Sequence, residues 1–140
     1  MTPYKQLLRH DPENGVWGDC GRTALACILD LPPASVPHFW DGGACGHELD
    51  VKENEFLSHH GMYKITFAVT GTLEEVLDYF GDITCGSHYV LVGKSRLGCN
   101  HAVVCRGSAI VHDPSQDDTG IVGPCDENGK YAADVFCKIV

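Results

Sequence analysis

The chain has 140 residues, 44% of them hydrophobic, which fits one globular domain whose core needs no disulfide bonds. Its formal net charge of −9 repels phosphate backbones, so no nucleic-acid partner is expected. No segment reaches the roughly 20 apolar residues of a membrane span, and the N-terminus lacks the apolar core of about 7 to 15 residues that a signal peptide has. The sequence therefore predicts a cytoplasmic protein without a membrane partner.

The first predicted helix opens at Asp19, Cys20 and Gly21. Asp19 suits the N-cap position, and apolar residues wrap most of the helix, as is typical of a central helix packed on several sides. The helix is predicted to stop before Pro32, because proline lacks the N–H that a helix needs. The segments that follow are a short helical turn over 34–39 and a glycine-rich loop over 41–46.

Two more helices are predicted before the chain turns to strands. One covers about 49–60 with Val51 facing inward, and the other covers 73–80, with a capping box at Thr72 and closure at Gly81. The predicted strands cover 63–69, 89–92, 102–106, 109–112 and 133–139. The predicted fold class is α+β, with N-terminal helices packed on an antiparallel sheet that is mostly C-terminal.

The eight cysteines would suggest a disulfide framework in a secreted chain. Without an export signal we expect them to be mostly reduced, and most to be small buried residues. We predict no cofactor and no metal. A zinc module is a weaker alternative, and its ligands would be Cys85, His88, Cys99 and His101.

Cys20 is the candidate nucleophile. A thiol attacks as the thiolate, which a helix N-terminus and a nearby imidazolium both favour. Gly21 lets a substrate approach and leaves a backbone N–H for an oxyanion. The alternative interpretation of Cys20 is a buried structural cysteine at a helix start.

His101 and Asp113 are the candidate base and its orienting acid. A two-residue hairpin turn at Gly107-Ser108 would place His101 opposite Pro114 and beside Asp113. The carboxylate would then accept the Nδ1 proton of His101 and hold the tautomer that serves the thiol. The alternatives are a structural histidine and a turn aspartate, with His88 as the rival base.

The stretch Asn14-Gly-Val-Trp-Gly-Asp-Cys-Gly, followed much later by His-Ala-Val-Val and Val-His-Asp-Pro, resembles the papain-like cysteine peptidase superfamily, especially its compact bacterial members. The chain also looks like small phage-encoded proteins of the same layout. The resemblance implies a papain-like fold with Cys20 as nucleophile, His101 as general acid/base and Asp113 as orienter. A phage-encoded protein would act in the host cytoplasm.

Asn14 departs from the pattern of that superfamily. A glutamine six positions before the nucleophile supplies the oxyanion-hole amide there, so the resemblance implies Asn14 as donor on a shorter arm. Asn14-Gly15 is also an ordinary turn pair. Trp17 is a candidate substrate-binding residue that would line a cleft, with loop support as its alternative.

The leading hypothesis is a thiol hydrolase of amide-type bonds, a peptidase or isopeptidase with a protein or peptide substrate. A deamidase or acyltransferase would use the same residues. A non-catalytic binding protein, docking on a host protein through its acidic surface, is the rival from another class. The sequence indicates neither the particular substrate nor the oligomeric state.

Overall fold

The computed structural model describes residues 1–42 and 46–140 of the chain. Within them the helices and strands are, in order, α1 (Cys20–Leu29), α2 (His47–Ser58), β1 (Met62–Val69), α3 (Leu73–Ile83), β2 (His88–Lys94), β3 (Asn100–Arg106), β4 (Ala109–His112) and β5 (Tyr131–Lys138). The strands form one antiparallel sheet in the order β1-β5-β2-β3-β4. The predicted α+β class with an antiparallel sheet is confirmed. No helix of the described segments is long and apolar enough to cross a membrane.

Helices cover both faces of the sheet. Phe80 of α3 packs in one buried cluster with Leu91 of β2, and Ala24 of α1 packs in another with Val90. Consecutive residues of a strand point to opposite faces, so α1 and α3 lie on opposite sides of β2. The sheet is not wholly C-terminal, because β1 precedes α3 in the chain and pairs with β5 at the sheet edge.

The first helix begins and ends where its sequence predicts. Cys20 is its first residue, and Asp30, with a left-handed φ of 56°, ends it two residues before Pro32. The helix packs on β3, so that Cys20 joins the cluster that includes Ala102 and Val104. This packing places the start of α1 next to the strand that contains His101.

The third helix has the predicted start but a different end. Thr72 and Glu75 form the capping box, whereas the helix continues through Gly81 to Ile83. A Cβ on Gly81 would lie 2.7 Å from the carbonyl carbon of Gly107. Gly81 therefore makes room for the β3–β4 turn to pack on α3, and the prediction that it ends the helix is wrong.

Three smaller predictions come out differently. Val51 is half exposed on α2, so the prediction that it faces inward is wrong. The helical turn predicted over 34–39 is a 3-10 turn at Pro33–Ser35. The glycine-rich loop predicted over 41–46 falls partly on 43–45, which lie outside the described residues.

The β3–β4 hairpin determines where Asp113 lies. Its two-residue turn at Gly107-Ser108 is confirmed, since Arg106 pairs with Ala109 across it. A bulge between Val104 and Cys105 then shifts the register by one residue, and β4 ends at His112. The predicted pairing of His101 with Pro114 is therefore wrong, and Asp113 instead begins the loop that follows the strand.

Candidate active site

Cys20 occupies the first position of α1 with a half-buried thiol. The first-turn N–H groups of a helix have no carbonyl partner within the helix. Within residues 1–42 and 46–140, the N–H groups of Cys20, Gly21 and Arg22 have no hydrogen-bond acceptor, and Asp19 at the N-cap position makes no side-chain cap. A Cβ on Gly21 would have no atom within 4 Å, so the space beside this turn is open. The start of α1 therefore offers unused donors next to a thiol.

His101 lies on β3 and is only 5% exposed. Its Nε2 is 2.5 Å from Oδ1 of Asp113, and Cys20 lies close enough to the same ring to raise its pKa. The structure thus brings together Cys20, His101 and Asp113, three of the residues singled out from the sequence. The atom assignment differs from the prediction, because Asp113 reaches Nε2 from the loop after β4, and Nδ1 is the nitrogen left for the thiol.

The hydrogen bonds of the Asp113 carboxylate fix its position. Oδ1 accepts from the backbone N–H of Ser115 at 2.9 Å as well as from His101, and Oδ2 accepts from the N–H of Gly120 at 2.8 Å. Burial acts to raise the pKa of Asp113, but these donors outweigh it and lower the pKa to about 2. Asp113 is therefore a carboxylate throughout the neutral range.

The ring of His101 is held in its charged form. Burial acts to lower the pKa of His101, but the hydrogen bond with Asp113 and the proximity of Cys20 outweigh it and raise the pKa to about 9. An imidazolium beside a thiol is the arrangement that favours a thiolate at neutral pH. The site can therefore supply both a nucleophile and an acid.

Asp19 is a structural residue of the site that the sequence marked only as an N-cap. Its fully buried carboxylate accepts from the backbone N–H groups of Leu7 and Leu8, and it forms an ion pair with Arg22 at 2.6 Å. A buried carboxylate needs such partners, because an unpaired one is strongly destabilising. Two of its donors are backbone groups that any residue carries, so no sequence pattern could have shown this contact.

Trp17 supports the loop that leads into α1. Its ring packs against His10 with centroids 5.2 Å apart, and its carbonyl oxygen accepts a hydrogen bond from Nε2 of His38 at 2.9 Å. A Cβ on Gly42 would lie 2.1 Å from Nε1 of Trp17, so only glycine permits this close packing. These contacts match the loop-support interpretation, and a role of Trp17 or Gly21 in substrate binding stays a prediction.

Asn14 makes the contacts of a turn residue. It lies exposed in a 3-10 turn, where its amide donates to the Asp11 carboxylate at 2.7 Å, and Gly15 closes the turn with a φ of 72°. These contacts favour the turn interpretation that its neighbour Gly15 indicates, and the oxyanion role of Asn14 stays a prediction.

We therefore expect Asn14→Ala and Asn14→Gln to change the rate of substrate turnover less than about 10-fold. Loss of a true oxyanion donor typically costs about 100-fold to 1,000-fold. The measurement is kcat of both variants on a substrate of the unmodified protein. A loss of about 100-fold in the alanine variant, with recovery in the glutamine variant, would restore Asn14 as a donor.

The rival residues lie elsewhere. His88 pairs with Arg106 at one end of the β2–β3 ladder, whereas His101 pairs with Gly93 near the other, roughly 16 Å away at about 3.3 Å per residue. His88 and His101 therefore cannot share one zinc ion, and the four-ligand zinc alternative is wrong. The Nε2 of His112 donates to the carbonyl oxygen of Tyr4 at 2.5 Å, away from the ring of His101.

Comparison with known proteins adds no relative. Neither the models of known protein families, nor curated proteins, nor solved structures give a significant match to this chain. The functional interpretation therefore depends on the geometry of the site and on the residue pattern.

Proposed function

We propose that the protein is a cysteine-dependent hydrolase of amide-type bonds, acting on a protein or peptide. The observation that carries this proposal is the convergence of Cys20, at a helix start, with the buried imidazole of His101, whose other nitrogen is bound by Asp113 at 2.5 Å. A nucleophile, a base and an orienting group in contact are the elements of covalent acyl transfer. The papain-like resemblance of the residue pattern supports the same assignment, including a papain-like fold.

In the acylation step, the Cys20 thiolate attacks the carbonyl carbon and forms a C–S bond, and the electron pair of the C=O bond moves to oxygen. The unused N–H groups at the start of α1 are the proposed donors to this oxyanion. As the C–N bond breaks, His101 gives its proton to the leaving amine. An acyl thioester and a neutral imidazole remain.

In the deacylation step, His101 removes a proton from water, and the resulting hydroxide attacks the thioester carbon. The C–S bond breaks, the thiolate of Cys20 is restored and the acid is released. Deamidation differs only in that the leaving amine is ammonia, and acyl transfer differs only in that an amine replaces water. Asp113 keeps the ring oriented in both steps.

The test is selective alkylation with iodoacetamide at about pH 6, read by peptide mass spectrometry. Cys20 should be labelled at least about 10-fold faster than the other cysteines, because an imidazolium beside a thiol favours the reactive thiolate. His101→Ala should abolish this selectivity. The control His88→Ala should retain it, since His88 lies at the other end of the ladder.

Slow and uniform labelling of the accessible cysteines would contradict the hydrolase proposal and favour a non-catalytic binding protein. Selectivity that survives in His101→Ala but is lost in His88→Ala would contradict the assignment of His101. Both variants need a thermal unfolding curve beside that of the unmodified protein, so that an unfolded sample is not mistaken for an inactive one.

A further inference from the structure

The N-terminal strap, defined here as residues 4–9, joins the two halves of the candidate site. On one side, Leu7 and Leu8 donate their N–H groups to Asp19, which directly precedes Cys20. On the other side, the strap runs along the loop that begins with Asp113. The nucleophile and the orienting acid come from elements far apart in sequence, and the strap binds the neighbourhood of both.

Lys5 is the centre of the contact with the Asp113 loop. Its ammonium donates to the carbonyl oxygens of Asp113 and Ser115, both at 2.9 Å, and to the Asp118 carboxylate at 2.8 Å. These three acceptors match the three protons that a lysine ammonium carries. Two of the three acceptors are backbone atoms, so the contact fixes the path of the main chain at Asp113 itself.

Neighbouring contacts hold the same two segments together. The N–H of Gln6 donates to the carbonyl oxygen of Pro114 at 2.8 Å, and the Gln116 amide donates back to the carbonyl oxygen of Gln6 at 2.7 Å. Arg9 adds an ion pair with Asp117 at 3.3 Å. None of these contacts involves the Cys20 thiol or the His101 ring. They can therefore affect the proposed reaction only through the position of Asp113.

We propose that Lys5 is a positioning residue, whose ammonium holds the Asp113 backbone so that the carboxylate meets Nε2 of His101. Among the described residues, Asp113 and Cys20 are the groups whose charges raise the pKa of His101. Lys5 bonds to the Asp113 backbone, so its effect on His101 passes through Asp113. The consequence for turnover rests on the proposed function, whereas the geometry of the pair can be measured without any substrate.

The test is an NMR titration of the His101 ring between about pH 5 and pH 10 in Lys5→Met. This variant keeps the apolar stem and removes the ammonium. We expect the pKa of His101 to fall from about 9 toward its ordinary 6.5, because a displaced carboxylate no longer favours the charged ring. The direction is diagnostic, since removing a nearby cation without moving Asp113 would raise the pKa of an imidazole.

Two controls separate positioning from charge. Lys94→Met also removes a half-exposed lysine paired with one carboxylate, on the strand next to His101, and should not lower the pKa of His101. Asp118→Asn removes the negative charge that pairs with Lys5 but keeps an amide oxygen and both backbone acceptors, and should behave as the unmodified protein does. Lys5→Arg keeps the positive charge and the N–H donors, so the pKa of His101 in this variant should stay close to its value in the unmodified protein. If Lys5→Met fails to fold, Lys5→Gln provides the same titration.

An unchanged or raised His101 pKa in Lys5→Met would overturn the role of Lys5 and leave the hydrolase proposal intact. The hydrolase proposal fails separately if Cys20 of the unmodified protein shows no selective alkylation. Where both hold, alkylation of Cys20 at about pH 6 should slow in Lys5→Met by up to about 100-fold, the scale expected for a misplacement near 1 Å.

Discussion

Replacing Cys20 by alanine is expected to abolish turnover, by a factor of at least about 10,000, because loss of the nucleophile of a covalent mechanism removes its first chemical step. The thiol is half buried at the first position of α1, and alanine is the residue with the highest helix propensity. The free energy of unfolding should therefore change by less than about 1 kcal/mol. The measurements are kcat on a substrate of the unmodified protein and urea unfolding of both proteins.

The matched control is Cys85→Ser. Cys85 carries an exposed free thiol just beyond α3, and this thiol donates to the carbonyl oxygen of Asp82 at 3.7 Å. Since neither an imidazolium nor a helix start is part of that contact, its replacement should leave the rate unchanged. Full turnover by the Cys20→Ala protein would exclude Cys20 as the nucleophile, and an equal loss in the Cys85→Ser protein would show that the loss is not specific to Cys20.

The sequence was most informative where local chemistry determines structure. The α1 boundaries follow from a proline pair and an apolar run, and the capping box of Thr72 and Glu75 is a local exchange of two hydrogen bonds. The Gly107-Ser108 turn brought His101 and Asp113 near one another for the same reason. Each of these predictions needs only residues that are close in the chain.

The predictions that failed depended on contacts from distant segments. In the sequence, Gly81 has the signature of a helix end. In the structure it lies inside α3, where the turn at Gly107 packs against it. The bulge at Val104 has no residue signature, so the register beyond it and the ring nitrogen bound by Asp113 could not be deduced. The contacts of Lys5 could not be predicted, because its acceptors are mainly backbone carbonyls more than 100 positions away in the chain.

Asp113→Asn is expected to reduce kcat by about 1,000-fold to 10,000-fold, the scale seen when an orienting aspartate of a catalytic triad is made neutral. The structure adds a second effect. One carboxylate oxygen accepts from His101 and Ser115 and the other from Gly120, whereas asparagine has a single acceptor oxygen. At least one of these donors must therefore lose its partner, and the variant should also be less stable.

The pH dependence of that stability difference follows from the two shifted groups. His101, with its pKa raised to about 9, stabilises the fold fully below about pH 6.5, and this contribution is lost as the pH rises through 9. The pKa of Asp113 is lowered to about 2, so its contribution to stability is fully present above about pH 3.8 and is lost as the pH falls through 2. The difference in unfolding free energy between the unmodified protein and Asp113→Asn should therefore be largest between about pH 4 and 6.5.

Activity should show the same shift on the alkaline side. The unmodified protein should lose turnover only above about pH 9, where His101 gives up the proton needed by the leaving amine, whereas Asp113→Asn should lose it nearer neutral pH. The control is Asp117→Asn, which neutralises an exposed acid of the same loop whose carboxylate pairs with Arg9. If Asp113→Asn and Asp117→Asn have the same pH profile as the unmodified protein, Asp113 neither orients nor charges the ring, and it is only a structural residue of its loop.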